Sequence, residues 1–430
     1  MRPQLSPRER LFALEHFGIK LGLDNITRLV DALGRPDRAY ATVHVAGTNG
    51  KGSVTAMVER GLRAAGHVTG RYTSPHLVTI EERIAINGTP IDSATFDEVT
   101  DAVLALVDDL QRRAVLSHPP TFFEVTTAVA LEIFRRRRIT TGVIEVGLGG
   151  RYDATNIIEP AITAITSIAL DHERHLGYTL GEIAFEKAGI IKPGVPVVLG
   201  AMPPAPRTVI ETVARERGAP VIVAEPPAGP TDRSITLALH GAHQRNNAAV
   251  AVEVLKLCAH QGRGVDDDDI VTALTDVVWP ARLEWLRLPD GAAVLIDAAH
   301  NPEGAQALAE YVSATVGQLP LVLGVVKDKD VDAIVTALVP AATRIVATTV
   351  NSARAMSAGA LAGRIRALAP AVPVGLNEDP VAAVEHCLSR DDRMMVAGSI
   401  FLVGPLRGQL LAHGAAPVRY PSKASPFFLT

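Results

Sequence analysis

Val43-His44-Val45-Ala46-Gly47-Thr48-Asn49-Gly50-Lys51-Gly52-Ser53 carries a β-rich apolar run into a loop of three glycines, a lysine and a serine. A helical pattern follows, from Val54 to Leu62. Strand, glycine-rich turn and helix in that order form a cradle for nucleotide phosphates. Glycines let backbone N–H groups converge on anionic oxygens, and the helix N-terminus adds a favourable dipole. Lys51 supplies a mobile positive charge and Ser53 a hydroxyl for Mg²⁺. The spacing is not the common G-x-x-x-x-G-K-[ST]. Counting back from Gly50, the first glycine would fall at Val45, and Gly52 stands between lysine and serine.

Short β-branched runs that stop at turn residues alternate with helical patterns on both sides of this loop. Thr42–Val45, Gly142–Val146, Ile162–Ile168, Val195–Leu199 and Val221–Ala224 read as strands. Phe122–Phe134 and Ala184–Ile191 read as helices, and Ser6–Leu33 has Leu11, Leu14, Phe17 and Leu21 at helical spacing. Such alternation predicts a mostly parallel sheet covered on both faces, with ligands at the carboxyl ends of the strands. Pro203–Pro230 is rich in Pro and Ala and reads as exposed surface. A fresh alternation follows: Ala293–Ile296, Leu321–Val326, Arg344–Val350 and Met394–Ala397 as strands. The change of texture at Trp279–Gly291 predicts two domains with a boundary near Trp285–Gly291, residues 1–286 and 287–430. Arg135–Arg138 reads as the dipole-favoured end of a helix, and Asp266–Asp269 as a loop and the start of the next helix.

At 430 residues the chain is too long for one ordinary core. A hydrophobic content of 47% with a mean hydropathy of +0.20 provides ample material for burial. A formal charge of −4 points to no nucleic-acid partner. No apolar run reaches membrane-spanning length, and Met1–Arg10 lacks the apolar segment of a secretion signal. Cys258 and Cys387 read as small buried hydrophobes, consistent with a reducing cytoplasm. The run Gly147-Leu148-Gly149-Gly150 invites a dinucleotide reading, which fails because Tyr152 stands where the third glycine belongs.

Thr48-Asn49-Gly50-Lys51-Gly52-Ser53 resembles the phosphate loop of the folylpolyglutamate and dihydrofolate synthases, the folate branch of the Mur ligase superfamily. The resemblance recurs in family order at Tyr72–Leu77, Glu82-Arg83-Ile84, Gly147–Asn156, Asp171-His172, Glu186–Ile190, His243–Ala248 and Asp297–Pro302. It implies an α/β fold in which a P-loop, parallel-sheet ATP-binding domain precedes a smaller Rossmann-like domain, with the site in the cleft between them. It also implies ATP-driven ligation of L-glutamate to dihydropteroate or reduced folates. In that reaction a carboxylate is phosphorylated and glutamate's amine then displaces phosphate. The rivals are a Mur-type ligase with another carboxylate acceptor and a nucleotide-binding protein without turnover. Threonine usually stands at the position of Gly52 in cell-wall members, which argues against the first.

Residue by residue, the resemblance assigns Gly47, Thr48, Asn49, Gly50, Lys51, Gly52 and Ser53 to the phosphates. Ser53, Ser74 and Glu145 surround one Mg²⁺. His172 lies at a second, joined by Lys187, which the family carbamylates with CO₂. Asn246 contacts adenine, Arg282 the phosphates and Asp297 the ribose, while His300 faces the transferring phosphoryl group or the incoming glutamate. Arg83, Phe123 and Asp153 are the acceptor contacts: loop anchor, stacking ring and pterin hydrogen bond. Phe123 reads equally as core. Lys51, His172, Lys187 and His300 are the catalytic set, and relatives suggest a monomer. Ala281 and Ala298 stand where the family often has Gly. Ile80 and Glu81 replace an aromatic and a small polar residue near the pterin region, which puts acceptor specificity in doubt.

Overall fold

Strand β1 (Ala41–Ala46) is buried along nearly its whole length, the position of a strand with neighbours on both sides and cover above and below. The computed structural model describes residues 5–18, 20, 22–226, 233–419 and 427–429. Around β1 lie β2 (Thr69–Tyr72), β3 (Ile84–Ile86), β4 (Thr89–Pro90), β5 (Thr141–Glu145), β6 (Ile162–Ile165), β7 (Val197–Leu199) and β8 (Val221–Val223). Their order is β4-β3-β2-β5-β1-β6-β7-β8, parallel from β2 to β8, with β3 and β4 added antiparallel. The register sets Val45 beside Glu145 and Ala46 beside Ile165. The loops that follow β2, β5, β1 and β6 therefore leave one end of the sheet side by side.

Both faces of this sheet are covered. Val103, Val129 and Phe134, from the helices Ser93–Arg112 and Phe122–Arg136, share a core with Tyr72 and Ile144. Ile183 and Ile210, from the helices Leu180–Ala188 and Pro204–Glu216, share another with Ile165 and Val197. The helix Phe122–Arg136 opens on a capping box between Thr121 and Glu124 and closes on Arg135 and Arg136, which pair with Glu132. Asp266 caps the helix Asp267–Thr275 in the same way, through Asp269. Both charge runs thus serve as helix ends, as read from the sequence.

A second unit is built on β10 (Glu284–Arg287), β11 (Ala293–Ile296), β12 (Leu319–Leu323), β13 (Ala342–Ala347), β14 (Val374–Leu376), β15 (Arg393–Ala397) and β16 (Ala416–Val418). The order is β14-β13-β12-β15-β11-β10-β16, parallel from β14 to β11, with β10 and β16 antiparallel at one edge. A two-stranded ribbon of β9 (Arg233–Ile235) and β17 (Phe427–Leu429) accompanies it. Cys258 and Cys387 are buried and unpaired. Among the described residues no helix is long and apolar enough to cross a membrane.

Several expectations change. The units are 1–226 with 246–277, and 227–245 with 278–430. Near the boundary expected at 286/287, β10 pairs with β11 and so draws its approach into the second sheet, while β9 pairs with the far C-terminal strand. Pro203–Pro230 is not plain surface. It holds the helix Pro204–Glu216, whose prolines sit in the first turn, where no N–H is needed, and whose Ile210 and Ala214 are fully buried. Residues 227–230 of that stretch lie outside the described residues, as does Leu21. The remainder of Ser6–Leu33 divides into a helix at Pro7–Phe12, a 3₁₀ turn at Ala13–Phe17 and a helix at Asp24–Ala32. The strand expected to reach Ile168 ends at Ile165, because the next residues turn to bind the loop after β1.

Phe134 is fully buried, its ring edge-on to Tyr40 at a centroid distance of 6.0 Å. Phe134→Ala is expected to destabilise this unit by about 3–5 kcal/mol, the cost of a phenyl-sized void. A urea midpoint unchanged from wild type would contradict this packing.

Candidate active site

The loop after β1 is shaped by two glycines in the left-handed half of conformational space, Gly47 at φ 147° and Gly50 at φ 85°. A Cβ on Gly47 would lie 1.9 Å from Thr166 Oγ1, and one on Gly50 2.2 Å from Asn247 Oδ1. Neither position has room for a side chain. The segment after β6 ties the loop down. Thr48 N donates to Ser167 O at 2.8 Å, Asn49 N to Ser167 Oγ at 3.1 Å, and Thr166 Oγ1 to Asn49 O at 2.6 Å. Lys51 Nζ donates to the carbonyls of Gly47 and Thr48, both at 3.1 Å.

Lys187 reaches the same Gly47 carbonyl from a different helix. Its helix, Leu180–Ala188, starts at a capping box of Thr179 and Glu182. The C-terminal turn docks on the loop after β5, where Arg151 N donates to Glu186 O at 2.8 Å. The side chain is buried, and Nζ donates to Gly47 O at 2.8 Å. Burial, and next the charge of Lys51, push its pKa down to about 7, against the pull of Asp171 and Asp153. A substantial neutral fraction near neutrality follows.

Ser53 is buried in the first turn of the helix Lys51–Ala64. Glu145 ends β5, and its Oε2 accepts Ser74 N at 3.3 Å, which sets two expected metal ligands side by side. Among the described residues no three His, Cys, Asp or Glu side chains cluster as a ready-made metal cage. Hydroxyls beside one carboxylate suit a hard cation that keeps waters and takes phosphate oxygens, which is the habit of Mg²⁺. His172 adopts a left-handed backbone, φ 54°, with its N donating to Asp171 Oδ1 at 2.8 Å and its Nε2 3.9 Å from the same oxygen.

The residues expected to contact the acceptor divide. Phe123 is half-buried. Its ring stacks on Tyr72 at 6.2 Å and occupies the space a Gly147 side chain would need. Arg83 is buried, donates to His76 Nδ1 at 3.0 Å and lies over the Phe122 ring at 5.2 Å; burial lowers its pKa. Asp153 is buried and turned into its own loop: Oδ2 accepts Leu148 N at 2.8 Å, and Oδ1 accepts Thr155 N at 3.0 Å and the Thr155 hydroxyl. Ile80 and Glu81 both point inward. Burial works against ionisation of Glu81, but hydrogen bonds from Ser93 and Arg8 bring its carboxyl to about 2. The two departures therefore pack the loop against its own unit.

In the second unit Arg282, Asp297 and His300 fall on two facing turns. Asp297 follows β11, and its oxygens accept Leu283 N and Ala299 N, each at 2.8 Å. Burial raises its pKa to about 6, against the charge of Arg282. Arg282 Nη1 donates to Ala281 O at 2.9 Å, and His300 Nδ1 lies 2.8 Å from Ala298 O. The cap of the helix Pro302–Thr315 is Asn301. Ala281 holds φ 55°, a glycine-like conformation, with its methyl in place. Asn246 is half-buried on the helix His243–His260, and its neighbour Asn247 is the residue at Gly50. Thr166, Ser167 and Asn247 escaped the sequence reading. Only their places, just past a strand and inside the His243–Ala248 motif, hinted at them.

The sequence pattern of the family described as "Mur ligase, glutamate ligase domain" matches residues 281–400. The dihydrofolate synthase/folylpolyglutamate synthase of Bacillus subtilis is 33% identical over 420 residues, covering 92% of this chain and 96% of its own. The Mycobacterium tuberculosis folylpolyglutamate synthase complexed with ADP is similar in structure, with a TM-score of 0.84 and 33% identity over 96% of this chain and 100% of that one. A bifunctional folylpolyglutamate synthase/dihydrofolate synthase with Mn, AMPPNP and L-glutamate bound gives a TM-score of 0.81 and 28% identity over 96% and 100%.

The low pKa of Lys187 has a measurable consequence. The unfolded amine titrates near 10.5 and the folded one near 7, so between these the unfolded chain holds the extra proton. The penalty for burying the amine is fully present below about pH 7 and fades as pH rises towards 10.5. In CO₂-free buffer the stability of the protein relative to its Lys187→Met variant is expected to rise across that window. A pH-independent difference in urea midpoints would mean that the buried amine stays charged.

Proposed function

The chain belongs to the folylpolyglutamate synthase/dihydrofolate synthase family of Mur-type ligases, and on that premise we propose how its own residues perform the family's reaction. It is an ATP-dependent ligase that joins L-glutamate to dihydropteroate, to reduced folates or to both. A carboxylate oxygen of the acceptor attacks the γ-phosphorus, ADP leaves, and the acyl phosphate receives the amine of glutamate as phosphate departs. The observation that carries this reading is the convergence of Lys51 and Lys187 on the Gly47 carbonyl, because a phosphate loop alone would need only the first.

The backbone N–H groups of Gly47–Ser53 hold the triphosphate, and Lys51 exchanges its bonds to the Gly47 and Thr48 carbonyls for phosphate oxygens. Divalent cations, when bound, neutralise the phosphates and the developing charge. Ser53, Ser74 and Glu145 would hold the first; His172 and a carbamylated Lys187 would hold the second. Carbamylation joins the neutral amine to CO₂ with loss of one proton, and the lowered pKa of Lys187 favours it at neutral pH. Arg282 and Asp297 would grip phosphate and ribose, Asn246 the adenine, and His300 the phosphoryl group or the entering glutamate. Phe123 and Arg83 would line the acceptor's path, with Asp153 shaping the loop between them. The same proposal makes the protein a cytoplasmic monomer, in keeping with its two unpaired buried cysteines.

Phosphate release from ATP is expected to require both glutamate and a pteroate or folate. Release unaffected by omitting the folate-type acceptor would defeat the assignment. Lys187→Ala is expected to lower kcat by roughly 100-fold or more, the scale of a lost metal-site residue, while an ATP analogue binds almost as well as to wild type. Retained turnover would remove Lys187 from the metal site.

A further inference from the structure

His44, in the middle of β1, is wholly buried and has no part in the chemistry above. Its Nε2 lies 2.8 Å from Thr155 Oγ1, and its Nδ1 has no hydrogen-bond partner. A hydroxyl has one proton to give, and Thr155 gives it to Asp153 Oδ1. The hydroxyl therefore accepts from His44, so the hydrogen sits on Nε2 and Nδ1 is the bare nitrogen. Burial, and next the charge of Lys192, push the ring's pKa down to about 3, so it stays neutral. Asp153 closes the chain on the loop after β5 through Leu148 N. An imidazole with one nitrogen unsatisfied costs more to bury than the valines beside it in the strand. Its one directed bond is to Thr155.

We propose that His44 is a positioning residue for the acceptor: it orients the Thr155 hydroxyl, which holds the Asp153 carboxylate, which sets the Gly147–Gly150 loop against the pteroate or folate. The inference rests on the preceding reading that this loop faces the acceptor. Although His44 lies three residues before Gly47, its side chain bonds the loop after β5 and not the phosphate loop. Its influence therefore falls on the acceptor KM, and on kcat through the Lys187 helix docked on the same loop, while the ATP KM stays near that of wild type.

The test is steady-state kinetics with ATP, glutamate and dihydropteroate or a reduced folate varied in turn. His44→Leu and Thr155→Val are expected to raise the acceptor KM about tenfold, with the ATP KM within about twofold of wild type. His44→Gln, whose amide nitrogen can take the place of Nε2, and Thr155→Ser, which keeps the hydroxyl, are expected to restore the acceptor KM. The double variant His44→Leu/Thr155→Val is expected to be no worse than either single change, as for members of one chain. An equal rise in the ATP KM, an unchanged acceptor KM in Thr155→Val, or no rescue by His44→Gln and Thr155→Ser would overturn the proposal. Thr155→Val and Thr155→Ser decide the matter if His44→Leu does not fold. A wild-type protein that ignores the acceptor would instead defeat the proposed function, and this inference with it.

Discussion

The Gly47 carbonyl, taking one hydrogen bond from Lys51 and another from Lys187, is the contact on which the rest of the site depends. Two amines on one oxygen repel each other if both are charged. Burial makes the charge on Lys187 the more costly of the two, so its proton is the one held loosely. That amine reaches its position only because the helix Leu180–Ala188 docks its last turn on the loop after β5. It meets Gly47 only because β6 stops short and its continuation pins the phosphate loop. The parallel sheet brings these three loops to one end, and the lysine pair links them.

The acidic residues of the chain divide by task. Glu82, Asp153 and Asp297 all fall in the matched motifs, and each places its oxygens on backbone N–H groups. Glu82 accepts from Leu77, Val78 and Thr79, Asp153 from Leu148 and Thr155, and Asp297 from Leu283 and Ala299. A loop that leaves a strand tip has N–H groups with no ladder to join, and a carboxylate can satisfy several at once. Glu145 differs in standing at the strand tip itself, beside Ser74. The structure thus separates three carboxylates that shape loops from one that ends a strand, a distinction that residue type alone does not make.

Much of this was legible beforehand, for particular reasons. β11 coincides with the run Ala293–Ile296, and β1 extends the run Thr42–Val45 by one residue at each end, since buried parallel strands are written as short β-branched runs between turns. The helix Phe122–Arg136 was visible because its cap, its apolar face and its terminal arginines agree. The helix Pro204–Glu216 was not, because three prolines in one turn look like surface until their place at a helix start is known. The strand pairing at β10 and β9 was not legible because it is non-local, and no window of sequence records it.

By itself the sequence determined the α/β class, the family and the motifs from which site residues are proposed. These are local properties: periodicity, turn residues and motif order along the chain. Only the tertiary structure decided which side chains share an atom. It put Lys187 on the carbonyl of Gly47, 140 residues away, and His44 on the hydroxyl of Thr155, 111 residues away. The state of an amine or an imidazole depends on the water it has lost and the charges it has met, and both are settled when distant segments pack together.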